Sequence, residues 1–169
     1  MKFYVIIRGP LGSGKTTLAK MLAKKIHAKY ISVDDILDKH KLTQEKEAGY
    51  ISQKSFIKAN EIIIKKTENI IKKRIIILDG NFYWKSQIKD IIERVQQPIY
   101  VFTLKASLNL CINRDKKRRK KYGENAVRAV YKKTTTFDLG KVIDVDSSKT
   151  ACVTRIVTFL SKIANPRTY

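Results

Sequence analysis

One eight-residue stretch limits what this chain can fold into. Gly9-Pro10-Leu11-Gly12-Ser13-Gly14-Lys15-Thr16 fits G-x-x-x-x-G-K-[ST] without a gap, and Thr17 follows it. The apolar run FYVII precedes it at residues 3–7, and a segment with apolar residues at helical spacing follows, at Leu18, Ala19, Leu22, Ala23 and Ile26. Strand, glycine-rich turn and helix in that order converge main-chain N–H groups and a helix N-terminus on one point, an arrangement suited to phosphate oxygens. Lys15 is then placed to reach the β- and γ-phosphates of a nucleotide, and the Thr16 hydroxyl to ligate Mg²⁺. Arg8, just before the loop, is either a substrate contact or a solvated sheet-edge residue.

Further short apolar runs recur along the chain. Strands are predicted at 30–33, 74–78, 99–103 and 141–145. Helices are predicted at 43–73, 85–95, 106–133 with a break near Tyr122-Gly123, and 149–163. Strands alternating with helices at this spacing give an α/β fold with a parallel sheet covered on both faces. At 169 residues one domain is expected, spanning 1–165, with a frayed tail beyond it.

The strand ends carry candidate chemistry. Asp79 closes the third strand beside the phosphate loop, where its carboxylate would stand near Mg²⁺ directly or through water. Ser32-Val33-Asp34-Asp35 closes the second strand, 19 residues beyond Lys15. Ligands in such sheets bind at the carboxyl ends of the strands, so a carboxylate there faces the γ-phosphate from the acceptor side. Asp34 is the candidate general base and Asp35 a helix cap or a neighbour of the substrate, although aspartate also caps helices without further purpose. Arg114 and Arg118 are four apart in the basic run 113–121. They would share one face of a mobile helical lid and stabilise charge on the transferred phosphoryl group; the alternative is a solvated basic face. Phe82-Tyr83-Trp84 follows the third strand and either stacks on a substrate ring, with Trp84 foremost, or packs a helix turn. Tyr50 and Phe56 read as core or lid-hinge packing.

The motifs GPLGSGKTT, ISVDD, IIILDGNF and NRDKKRRKKYGENAVRAVY resemble, in order and spacing, the P-loop kinases related to nucleoside-monophosphate kinases. Within them the chain is most similar to the polynucleotide 5′-kinase, zeta-toxin and chloramphenicol-phosphotransferase branch. The resemblance implies a three-layer P-loop NTPase fold, with a five-stranded parallel sheet in the order 2-3-1-4-5 and a helical lid over about 106–133. It implies acceptor-side helices over about 36–73. Residues 9–17 would hold ATP, Thr16 and Asp79 Mg²⁺, Asp34 the acceptor hydroxyl, and Arg114 and Arg118 the lid position. Asn81 would stand on the substrate side, and the loop 146–149 near adenine. Two features depart from that branch. Ile36, Leu37 and Asp38 stand where a basic residue often follows the acidic pair, and Asn81-Phe82 replaces an arginine found in nucleotide kinases.

Charge bears on the acceptor. Lys and Arg number 36 against 15 acids, a net of +21, which points to a polyanionic partner. The expectation is therefore an ATP- and Mg²⁺-dependent kinase acting on a polynucleotide 5′-hydroxyl, RNA foremost. A small-molecule kinase (nucleoside, nucleotide, sugar or antibiotic) and a non-catalytic, NTP-dependent nucleic-acid binder are the alternatives. No window reaches the ~18 uninterrupted apolar residues of a membrane span. Cys111 and Cys152 lie far apart without metal-ligand spacing, as expected of two buried thiols in a cytoplasmic protein. No guanine-specific motif follows the fourth strand, and the length leaves no room for a motor's sensor domains.

Overall fold

An apolar strand with no polar alternation needs cover on both faces, and that need organises this chain. The computed structural model describes residues 2–119, 121–145 and 147–164. Its elements begin with β1 (Tyr4–Arg8), α1 (Lys15–Lys25), β2 (Lys29–Ser32) and α2 (Val33–Lys39). The short strands β3 (Lys46–Glu47) and β4 (Tyr50–Ile51) follow, then α3 (Gln53–Thr67), β5 (Ile76–Asp79) and α4 (Lys85–Arg94). The chain closes with β6 (Ile99–Lys105), α5 (Leu108–Lys116), α6 (Glu124–Thr134), β7 (Lys141–Asp144) and α7 (Lys149–Ala164).

The main sheet runs β2-β5-β1-β6-β7, with every neighbouring pair parallel. Counting only its own five strands, this is the expected 2-3-1-4-5; the element numbers differ because β3 and β4 form a separate hairpin. Successive residues of β1 serve opposite layers. Val5 and Ile7 pack with Leu18, Leu22, Phe102 and Ile156 on one face, Tyr4 and Ile6 with Ile36, Phe56, Ile63 and Ile88 on the other. Register pairs Ile7 and Ser32 with Asp79, so β1, β2 and β5 end side by side and deliver the phosphate loop, α2 and Asp79 to one crevice.

The segment 43–73 is not continuous helix. Ala48 (φ 50°) and Gly49 (φ 82°) form a tight turn with both residues left-handed, the conformation that joins two-residue hairpins, and β3 and β4 pair antiparallel across it. The Ser52 hydroxyl then accepts the Ser55 N–H and starts α3. Both cysteines are buried and unpaired. No described helix is long and apolar enough to cross a membrane. The expected tail, 165–169, lies outside the described residues.

Candidate active site

The phosphate loop leaves β1 at the centre of the sheet and enters α1 through Gly14, whose φ of 92° suits glycine. A β-carbon on Gly12 would collide with the Cys111 carbonyl, so α5 packs directly against the loop backbone. Inside the loop the Ser13 N–H and hydroxyl donate to the Pro10 carbonyl at 3.2 and 2.8 Å, and Lys15 Nζ donates to the same oxygen at 2.9 Å. Lys15 is buried, and that burial lowers its pKa against the opposing pull of Asp79 and Asp34. Thr16 is half-buried in the first turn of α1, and Thr17 is exposed.

Asp79 is buried at the end of β5. Its Oδ2 accepts the Tyr30 hydroxyl at 2.8 Å, while its Oδ1 is buried with no hydrogen-bond partner. Asp34 is half-buried. Burial raises its pKa, nearby Lys15 lowers it, and Asp79 and Asp38 raise it further. Sequence order had left open which residue caps α2. Ser32 does so, its Oγ accepting the Asp35 N–H at 3.1 Å, and Asp34 is thereby free of the helix terminus. Asp35 is exposed and, contrary to expectation, is neither the cap nor a lining residue of the crevice.

The two arginines do not share a helix face. Arg114 lies on α5 and its Nη1 donates to the Ser13 carbonyl at 3.0 Å. The helix stops at Lys116, because buried Asp115 accepts the N–H groups of Tyr122 and Gly123 and reverses the chain. Successive cations also oppose further helix here. Arg118 therefore stands in the turn, 5.4 Å over the Tyr122 ring and within electrostatic reach of Lys15. Lys120 and Asp146 lie outside the described residues. Ser147 and Lys149, from the loop expected near adenine, border a recess of about 10 Å³ beside Ser13, Gly14 and Arg114.

Beyond the loop opens a cavity of about 570 Å³. Leu11 of the phosphate loop, Asp34, Leu37 and Asp38 of α2, Asn81 and Tyr83 line it from below. The hairpin contributes Tyr50 and Ile51, and Tyr122 and Val130 close it from the α6 side. Asn81 is half-buried, and its Oδ1 is buried without a partner. Tyr50 joins the hairpin to α6 by donating to the Ala129 carbonyl at 3.2 Å. Phe56 is core.

Of the two roles open to Trp84, stacking on a substrate and packing, the structure shows packing, against the hairpin. Its Nε1 donates to the Ile51 carbonyl at 2.9 Å, Lys133 Nζ sits 3.8 Å over its ring, and Tyr50 and Tyr83 pack against it. Its rings clasp the hairpin and do not line the cavity. Arg8 takes neither expected role. It is fully buried, donating to Thr103 Oγ1 and to the Thr134 and Phe137 carbonyls at 2.7 to 3.0 Å, and burial lowers its pKa to about 10. It ties the root of the phosphate loop to the C-terminus of α6. Asp38 and Tyr122 were not expected to line the site, and Tyr83 was expected there only as a member of the aromatic cluster. Asp38 had one signal, its helical spacing of four from Asp34.

Residues 5–136 match the AAA_33 family, an AAA domain. The chain belongs to that family. It is 27% identical over 147 residues to a putative adenylate kinase of Methanocaldococcus jannaschii, covering 85% of this chain and 76% of that one. It is 33% identical over 119 residues to an adenylate kinase of Rickettsia bellii, covering 65% of this chain and 55% of that one. Among solved structures, a sugar kinase from Janibacter sp. superposes with a TM-score of 0.78 at 14% identity, over 95% of both chains. A gluconokinase from Sinorhizobium meliloti does so with a TM-score of 0.71 at 12% identity, over 96% of this chain and 98% of that one. At those identities the two structures speak for the fold. Family, phosphate loop and fold together make this chain a P-loop kinase.

Proposed function

We propose that this kinase transfers the γ-phosphoryl group of ATP to a hydroxyl of a small molecule held in the 570 Å³ cavity. The observation that carries this reading is the cavity's floor, where Leu11 of the phosphate loop and Asp34 of α2 line one space. A hydroxyl against Asp34 would face a γ-phosphate cradled by the loop. Residues 9–17 supply the main-chain donors and the Lys15 ammonium, which would exchange the Pro10 carbonyl for phosphate oxygens. The unpartnered Asp79 Oδ1 and the Thr16 hydroxyl at the first turn of α1 fit Mg²⁺. When bound, that ion supplies positive charge to the β- and γ-phosphate oxygens.

Asp34 takes the proton of the attacking hydroxyl as the new O–P bond forms and the bond from the γ-phosphorus to ADP breaks. Its raised pKa makes its carboxylate a stronger base than an ordinary aspartate. Arg114 and Arg118 stabilise charge on the transferring oxygens, and Asn81 Oδ1 accepts from the acceptor. A polynucleotide acceptor finds no support. The aromatic expected to stack is committed to the hairpin, and the named relatives and structural neighbours are kinases of small molecules.

The test offers γ-labelled ATP and Mg²⁺ with a panel of small alcohols and with 5′-hydroxyl RNA and DNA oligonucleotides. Label is expected on a small alcohol, to be absent from the oligonucleotides, and to vanish with Lys15→Ala and Asp34→Asn. Label on the oligonucleotide alone would replace this reading with the polynucleotide one.

A further inference from the structure

The relatives named adenylate kinases raise the question of whether the acceptor brings a phosphate of its own. The cavity wall answers in charge. Among the described residues lining it, two are acids, Asp34 and Asp38, and one is a cation, Lys46, exposed on the hairpin at the rim. The chain as a whole carries 36 cations to 15 acids, so this wall inverts the balance of the molecule. No arginine stands among those described residues, although arginine provides the planar fork that binds phosphate.

Asp38 lies one helical turn beyond Asp34, and the two carboxylates repel each other. Lys15 offsets Asp34. Asp38 forms no ion pair with any described residue. Around it the wall is apolar and aromatic, with Leu37, Ile51 and Val130 beside Tyr50, Tyr83 and Tyr122. A carboxylate without a partner next to tyrosine rings is a setting that holds an ammonium group, by charge and by the ring quadrupole. A phosphate in the same place would meet two carboxylates, and the guanidinium on the border, Arg118 over the Tyr122 ring, is paired with Asp115 at 4.0 Å.

Resting on the reading of this cavity as the acceptor site, we infer that the acceptor is a phosphate-free amino alcohol with an apolar or aromatic body, its ammonium at Asp38 and its hydroxyl at Asp34. The +21 charge of the chain then belongs to other surfaces than this wall.

Equilibrium binding tests this without turnover, by calorimetry with Mg²⁺ and a non-hydrolysable ATP analogue present. The probes are tryptophanol, N-acetyltryptophanol and AMP. Tryptophanol should bind about 10-fold more tightly than its acetylated, uncharged form, the scale of a cation–π contact and an exposed ion pair together. AMP should bind most weakly. Asp38→Asn should erase the preference for the amine, and Asp38→Lys should reverse it in favour of AMP. Asp38 is exposed at the C-terminal part of α2, and unchanged melting temperatures would show that both variants fold. Equal binding of amine and amide, tightest binding of AMP, a preference surviving in Asp38→Asn, or no saturable binding of the amine would each overturn the inference. The labelled-transfer assay reads the kinase function separately. An amine that binds but is never labelled would count against the kinase reading and leave the charge argument standing.

Discussion

The two walls of the crevice are held in opposite ways. On the donor wall the main chain forms the surface. Gly12 is wedged against the α5 backbone, Gly14 turns the chain into α1, and Lys15 is buried behind them. On the acceptor wall the side chains do. The β3–β4 hairpin is held by hydrogen bonds from the Trp84 indole and the Tyr50 hydroxyl, by Gln53 donating to the Glu47 carboxylate, and by a set of ring contacts, and the space around Gly49 and Gly123 is open. A phosphate presents the same oxygens whatever it is attached to, so a fixed backbone cradle suits it. An acceptor presents its own shape and charge, which only side chains can match.

That contrast can be tested in descending order of effect. Lys15→Ala removes the buried ammonium that reaches into the loop and should lower kcat about 10³-fold, read by labelled transfer at saturating acceptor. Asp34→Asn should lower kcat by about 10²- to 10³-fold with acceptor affinity retained, since it removes a base and keeps the shape.

The same variant separates function from stability. The folded-state pKa of Asp34 lies above its ordinary value of 3.8, chiefly through burial, so the ionised carboxylate weakens the fold. That penalty is absent below the unfolded value and grows as pH rises towards the folded one. Asp34→Asn should therefore raise the melting temperature at neutral pH and leave it unchanged in strong acid. In the parent enzyme the acid limb of kcat/KM, which reports the free enzyme, should lie above that of an ordinary aspartate. A variant that melts lower at neutral pH would contradict the assignment of a charge whose burial outweighs the attraction of Lys15.

Gly12→Ala should cost about 3 kcal/mol or more in urea unfolding, combining a backbone collision with a left-handed φ of 79°. Gly49→Ala, with an equally left-handed φ of 82° but no neighbour within reach, should cost only about 1 kcal/mol. Equal costs would erase the distinction between a rigid donor wall and a loose acceptor wall. Tyr30→Phe strips Asp79 of its one hydrogen bond, leaves both its oxygens unpartnered, and should cost about 1–3 kcal/mol; added Mg²⁺ should restore part of the loss.

Much of the donor wall was legible in the chain because its requirements are local. The loop needs glycine and lysine at fixed intervals, and a strand and a helix on either side, all within residues 3–26. The parallel sheet followed from the alternation of buried strands with helices, and its order from the family resemblance. Less of the acceptor wall was readable. The hairpin at 46–51 was hidden inside a stretch whose isoleucine and lysine spacing suits a helix, although Ala48-Gly49 marked the turn. Trp84 looked like a stacking platform because sequence cannot show that the Ile51 carbonyl, 33 residues away, would claim its N–H. Arg118 was placed on a helix that Asp115 ends by drawing back the backbone of Tyr122 and Gly123.

Residue order alone therefore determined where a phosphate cradle could form, at which strand end, and which lysine stands in it, because such a cradle is built from consecutive backbone. Tertiary structure decided the rest: that Ser32 frees Asp34 from capping, that Tyr30 leaves one Asp79 oxygen unpartnered, and that Asp38 and three tyrosines line one cavity. Those groups come from segments far apart in the chain. Their meeting depends on how helices and a hairpin pack over the sheet, which no local pattern encodes.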